Sequence, residues 1–407
     1  MGMFVAFSAR YWGIVALLFI SLLFLLFQGG KFAFMLFSIV AALSLYILLG
    51  RWSGVSNVRG VRTLPDTVSG GTIEAGTSVA VHVQVHIPGF WPVPYVTIQE
   101  KLTHSGGEEY TIETILIPDW KRRAEVSYVT PPLRRGVYRF EDTDCATEDI
   151  FGLFRHQGRL RLPYAFKVFP QRVDIRDWKQ LHHMFRGNPH TSARTRFYRE
   201  TAQVNGIREY INGDRLSRIH WHASAKTGSW KSKEFEREAI PKIVFVLDRN
   251  MSGYRNQEQF ELAVSVATSL LDYAICRDMA VGLLSAGKET KVLEPERGDS
   301  QKNAIMNHFI EVELDGMNPL REVLQERVRT FIPGTLFVVV SPEFGDALAP
   351  SLVLLQQRRM MPFHMWIAAE VSLNVHEQWV QYLRAAGLSG CVVTSLDRLP
   401  LVVGGNK

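Results

Sequence analysis

Two nearly uncharged runs, Tyr11–Phe27 and Phe32–Leu49, stand at the start of the chain, separated by Gln28-Gly29-Gly30-Lys31. At ~1.5 Å per helical residue each run crosses most of a ~30 Å hydrocarbon layer, so the pair reads as a transmembrane hairpin. A signal peptide followed by a buried helix is the alternative, but no small-x-small cleavage site follows the first run. Arg10 flanks one end and Arg51, Arg59 and Arg62 the other, with Lys31 alone in the turn. The positive-inside bias then puts both termini, and everything after the hairpin, in the cytoplasm of a multi-pass membrane protein. Cys145, Cys276 and Cys391 are the only thiols in 407 residues, odd in number and far apart. This excludes a disulfide scaffold and a zinc ribbon, and suits a reducing compartment.

Hydropathy patterning divides the remainder. Between 55 and 170 the period is two: Val79, Val81, Val83, Val85 and Ile87 alternate with Ala80, His82, Gln84 and His86. Short strands are expected at Tyr95–Leu102, Tyr110–Ile117, Ala124–Val129 and Val137–Phe140, a spacing that predicts a small antiparallel β-sandwich. His82 and His86 share the outer face of one strand, but no third ligand follows at a useful spacing, so they read as a solvated face.

From 241 to 407 apolar strands alternate with helical segments. Lys242–Leu247 ends in Asp248, Gln257–Ile275 is helical, and strands are expected at Ala280–Ser285, Thr335–Ser341, Phe363–Ala368 and Cys391–Thr394. Helices are expected at Ser300–Ile310, Pro319–Phe331, Asp346–Arg359 and Val375–Ala386. Fully apolar strands fit a parallel sheet covered by helices on both faces. Ligand sites in such sheets form at the carboxyl ends of strands, which places Asp248 and Ser341 on the expected rim.

The intervening segment, 171–240, holds 14 Lys and Arg against 8 Asp and Glu, five His, and interleaved aromatics including Trp221 and Trp230. Its excess of six equals the net charge of the whole chain, +6. A collar of paired charges, contact with anionic lipid or a protein partner, and nucleic-acid binding all fit this composition. Within it, Gly213–Gly228 reads as one helix capped by Asp214 and stopped by Gly228. His220 and His222 would then point about 200° apart, which argues against a shared zinc ion.

The stretch GIREYINGDRLSRIHWHASAKTGSWKSKEFERE, Gly206 to Glu238, resembles the signature block of the domain-of-unknown-function fifty-eight family. Its signature positions here are Arg208, Tyr210, Gly213, Asp214, Arg218, His220, Trp221, Ser224 and Ala225. Thr147–Arg155 resembles the family's Asp-x-Phe-Gly-Leu-Phe turn, with Ile150 where Pro is common, and Pro132–Phe140 its Arg-Gly strand; His222 stands where Lys is common. The resemblance implies a membrane hairpin (1–54), a β-sandwich (55–170), the basic connecting segment (171–240) and a von Willebrand factor A-like α/β domain (241–407).

Domains of that kind often hold a divalent ion, Mg²⁺ above all, through an Asp-x-Ser-x-Ser loop with a Thr and an Asp from later loops. Here the first loop is Asp248-Arg249-Asn250-Met251-Ser252; Asn318 stands in the Thr place, and Ser341-Pro342-Glu343 where the Asp is expected. One carboxylate is lost, and Arg249 adds a positive charge beside the one that remains. Asp248 alternatively caps the turn that follows it, while Glu343 could supply the missing acid. The resemblance also implies partners: a MoxR-type AAA+ ATPase or a transglutaminase-like membrane protein. No nucleophile elbow, Walker loop, dinucleotide fingerprint or His-Glu-x-x-His motif occurs, so a binding or scaffold protein without a catalytic site or cofactor is expected. A hydrolase with an unrecognised site is the rival class, and a nucleic-acid binder would use Arg194, Arg196, Arg199, Arg208, Arg215 and Arg218.

Overall fold

The computed structural model describes residues 2–50, 53–64, 71–149, 152, 155–186, 198–239, 241–368 and 373–404. Arg194, Arg196 and most of the Asp-x-Phe-Gly-Leu-Phe turn lie outside the described residues. The chain forms two compact units, Met1–Phe169 and Pro170–Lys407.

In the first unit α1 (Gly2–Gln28) and α2 (Gly30–Leu49) pack on each other. Gly29 and Gly30 take φ of +57° and +86°, which a side chain would resist, and let the chain reverse. Among the described residues α2 is the helix long and apolar enough to cross a membrane, while α1 carries a shorter apolar run, Trp12–Gln28. Phe27 and Phe32 are 88% and 85% exposed among the described residues.

Two sheets follow. Strand β1 (Arg59–Thr63) and β6 (Arg123–Val129) flank β3 (Ala80–His86), all antiparallel. The larger sheet has seven strands. Its path runs from β2 (Ile73–Glu74) through β10 (Tyr164–Phe169), β7 (Gly136–Phe140), β4 (Val96–His104) and β8 (Thr143–Glu148) to β9 (Arg155–Leu160), with β5 (Glu109–Leu116) also on β4. Val81, Val83 and Val85 of the small sheet and Ile98, Leu102, Phe140 and Phe166 of the large one enter a single apolar core. His82 faces outward and bonds Ser127 on the neighbouring strand, as a solvated face requires.

One charge pair lies inside this core. Arg62 meets Glu100 at 2.6 Å, both side chains no more than 2% exposed, and its guanidinium covers the Phe140 ring at 4.2 Å. The Thr143 and Tyr128 hydroxyls also donate to Glu100, so the buried carboxylate is fully hydrogen-bonded, as burial of a charge demands.

The second unit takes in residues 171–240 together with the α/β sheet. Residues 170–178 and α3 (Lys179–Arg186) belong to the α/β core. Trp178 is fully buried edge-on against Tyr273 and Phe363, and Ser269 Oγ accepts from the Val173 N–H. An antiparallel ribbon comes next, β11 (Tyr198–Glu209) with β12 (Lys231–Ala239).

Between them the single expected helix is replaced by a 3-10 turn, Leu216–Arg218, and a separate α4 (Trp221–Thr227). Asp214 does not cap it, because Arg208 claims both of its oxygens, at 2.7 and 2.8 Å. The cap is His220, whose Nδ1 accepts from the Ala223 N–H at 3.1 Å. Gly228 ends the helix with φ +71°, as expected.

The sheet of this unit has the order β15 (Lys291–Glu296), β14 (Ala280–Ala286), β13 (Lys242–Asp248), β16 (Leu336–Ser341), β17 (Met361–Ile367), β18 (Ser389–Val393). Every pairing is parallel except β14 with β15. Counted within this sheet the order is 3-2-1-4-5-6, a doubly wound order. Helices α5 (Gln257–Cys276), α6 (Asp299–Glu311), α7 (Leu320–Arg327), α8 (Ala349–Gln357), α9 (Leu373–Ala385) and α10 (Leu399–Gly404) connect or follow the strands. All seven residues of β13, of β14 and of β17 are buried, which is why these strands read as unbroken apolar runs.

Candidate functional site

The strand order reverses between β13 and β16, and a doubly wound sheet opens a crevice at that switch point. Asp248 ends β13 and Ser341 ends β16. Their side chains meet: Ser341 Oγ donates to Asp248 Oδ2 at 2.7 Å, while the Asn250 N–H donates to Oδ1 at 3.0 Å. The Tyr254 hydroxyl donates to the Asp248 carbonyl at 2.7 Å. Asp248 is wholly buried, and desolvation pushes its carboxyl up to about 7 against the opposing pull of these donors. Burial also raises Glu343, whose N–H donates to Ser341 Oγ at 3.0 Å.

The first loop folds on itself. Asn250 Oδ1 accepts from both the N–H and the hydroxyl of Ser252, at 3.1 and 2.9 Å. Asn250 pairs with Gly316, and the Met251 N–H donates to the Gly316 carbonyl at 2.9 Å. A Cβ on Gly316 would sit 2.7 Å from the Arg249 carbonyl oxygen, so the approach of these two loops requires glycine. A Cβ on Gly253 would touch Pro342 and Glu343 at 3.3 and 3.5 Å, which brings the third loop against the first. Arg249 does not face Asp248: it pairs with Asp315 at 2.5 Å and donates to the Glu313 carbonyl. Asn318 lies exposed beyond Gly316, whose backbone rather than Asn318 meets the first loop.

Thus Asp248, Asn250, Ser252, Ser341 and Glu343 come together, and Asn318 stays at the margin. Residue types alone did not mark Tyr254, Gly316 or the exposed apolar side chains of the rim. Each converging loop carries one: Met251 at 54% exposure, Met317 at 80% and Phe344 at 41%. Phe344 also lies over Trp366, ring centroids 4.4 Å apart. Among the described residues no three His, Cys, Asp or Glu are grouped to hold a metal.

The signature positions form the ribbon tip. Arg208 and Asp214 make a two-bond ion pair that holds Asp214 below the usual carboxylate range. Tyr210 packs on Trp230 at 5.8 Å, and Trp230 on Trp221 at 6.0 Å. Ser224 Oγ donates to the His220 carbonyl and accepts from the Lys231 N–H, tying α4 to β12. Gly213 takes φ +112° in the turn.

Residues 206–359 match the family described as "Protein of unknown function DUF58", in agreement with the resemblance of Gly206–Glu238. The match runs from the ribbon tip through the whole rim. The chain is similar to "Uncharacterized protein YeaD" of Bacillus subtilis (strain 168), 23% identical over 312 residues and covering 74% of each chain. Solved structures similar to it include an aerotolerance-related membrane protein from Bacteroides fragilis NCTC 9343 (11% identity, 40% of this chain, 96% of that one, TM-score 0.28). The SpRpn10 VWA domain is another (11%, 39% and 93%, TM-score 0.29). The chain spans 44% of proximal thread matrix protein 1 from the mussel byssus (12% identity, 39% of this chain, TM-score 0.29).

Proposed function

We propose that this chain is a membrane-anchored interaction protein whose von Willebrand factor A-like unit docks a protein partner on the switch-point rim, with the α1–α2 pair crossing the bilayer and both soluble units cytoplasmic. One observation carries the reading: three loops, two joined by backbone hydrogen bonds and the third tied in through the Ser341 side chain, present Met251, Met317 and Phe344 to solvent around a buried, internally satisfied Asp248. Flexible Met side chains beside an aromatic ring suit an adaptable protein contact. The partners that the family resemblance implies, a MoxR-type AAA+ ATPase or a transglutaminase-like protein, are the candidates.

A divalent ion fits these residues poorly. Both oxygens of Asp248 accept from in-chain donors, the Ser252 hydroxyl is spent on Asn250 Oδ1, and Ser341 stands where a second carboxylate is expected. The same bonds favour binding over catalysis, since Ser341 is buried at the strand end with its hydroxyl committed to Asp248, out of reach of a substrate.

The test is affinity purification of the full chain from gently solubilised native membranes, wild type beside Met251→Asp/Met317→Asp, with mass spectrometry on both. An ATPase or transglutaminase-like protein retained by wild type and lost from the variant, at unchanged melting temperature, is the expected result. Partners held equally by both would remove the rim from the binding surface.

A further inference from the structure

The ribbon tip carries exposed charge and apolar surface outside the rim. Residues 206–233 hold six Lys and Arg against two acids, a net of four positive charges. Both acids are committed within the tip, Asp214 to Arg208 and Glu209 to Lys231 at 3.1 Å. On the same short element Trp221 is 66% exposed, Trp230 55%, Leu216 66% and Ile211 63%. A soluble surface seldom concentrates large apolar side chains in this way, and where it does the patch marks a binding face.

The mixture selects among occupants. A single-stranded nucleic acid would stack on the Trp221 and Trp230 rings and pair with the cations, but it has no use for exposed Leu216 and Ile211. A bilayer interface uses all three kinds of group. Indole rings settle at headgroup level with N–H in the wet layer, aliphatic side chains reach the acyl boundary, and Lys and Arg meet anionic headgroups.

We propose that the ribbon tip is a second membrane contact, binding anionic phospholipid headgroups with Trp221 and Trp230 seated in the interfacial layer. The inference rests on the membrane-anchored reading above, because the helical hairpin holds the tip at high effective concentration near a bilayer. Cationic Arg215 and Lys226, both exposed, supply attraction to the headgroups, and the paired Trp rings supply depth.

The experiment uses the full chain in nanodiscs of brominated phosphatidylcholine, with and without phosphatidylglycerol. Tryptophan emission of wild type is compared with that of Trp221→Phe/Trp230→Phe, so that the difference isolates the pair from the other indoles. The pair is expected to lose most of its emission in phosphatidylglycerol discs and little in discs without it. The loss should reverse as salt rises, because screening weakens exposed charge attraction. Arg215→Glu/Lys226→Glu should abolish the quenching at unchanged melting temperature. If the chain elutes with the discs but the pair shines equally with and without brominated lipid, the tip proposal falls while the anchor stands, and the patch belongs to a protein partner. A chain that does not elute with the discs overturns both.

Discussion

Asp248 keeps a carboxyl in the one place where its two kinds of neighbour disagree. Removal from water favours the neutral form, while the Ser341 hydroxyl and Asn250 N–H favour the ionised one; burial prevails and carries it from 3.8 to about 7. Over that interval the folded protein binds the proton that the unfolded chain has released, so this residue makes stability fall as pH rises toward about 7 and leaves it flat beyond. Asp248→Asn should therefore show a weaker decline between about pH 4 and about pH 7 than wild type, the difference being at most on the order of 4 kcal/mol. Denaturant unfolding of the solubilised chain across pH measures it, and a parallel pair of curves would show that Asp248 does not titrate there. Glu100 in the other unit is the opposite case, a charge with a buried partner. Glu100→Ala strands Arg62 in an apolar core and should cost about 3–5 kcal/mol in the same measurement, far more than Met317→Asp on the surface.

At the scale of elements, what holds the rim is the meeting of loops, and one glycine decides it. Gly316→Ala would drive a methyl group into the Arg249 backbone, which cannot rotate away, so the paired loops must separate. The variant should lose about 1–3 kcal/mol of stability and, through the displaced Met317, the rim partner as well; an unchanged partner profile would detach the loop contact from binding. Sequence pattern revealed β3, β13 and β14 because alternation or unbroken burial writes itself into residue type. It hid β15, an edge strand in which Lys, Glu and Pro break the apolar pattern, paired with β14. It also misread Gly213–Gly228 as one helix, since Asp214 is an excellent cap in isolation and only the folded ribbon brings Arg208 across to take it. Asp248, Ser341 and Glu343 were visible as strand-end residues, whereas Met251, Met317 and Phe344 became a surface only once three distant loops converged.

The whole molecule poses a question of sides, and the three thiols answer it. Cys145 and Cys391 are buried, and desolvation pushes each up to about 12, so neither offers a thiolate at neutral pH. Cys276, the last residue of α5, is exposed. A folded chain should therefore take up a single membrane-impermeant maleimide, at a position well inside the α/β unit and far in sequence from the helical hairpin. The proposed orientation, with this unit on the cytoplasmic side, makes a definite prediction. Inverted membrane vesicles should then label readily and sealed right-side-out vesicles only after permeabilisation, with Cys276→Ser silent in both. Labelling of intact right-side-out vesicles would place the rim outside the cell, beyond the reach of any cytoplasmic ATPase, and the partner would have to be sought among proteins of the opposite face.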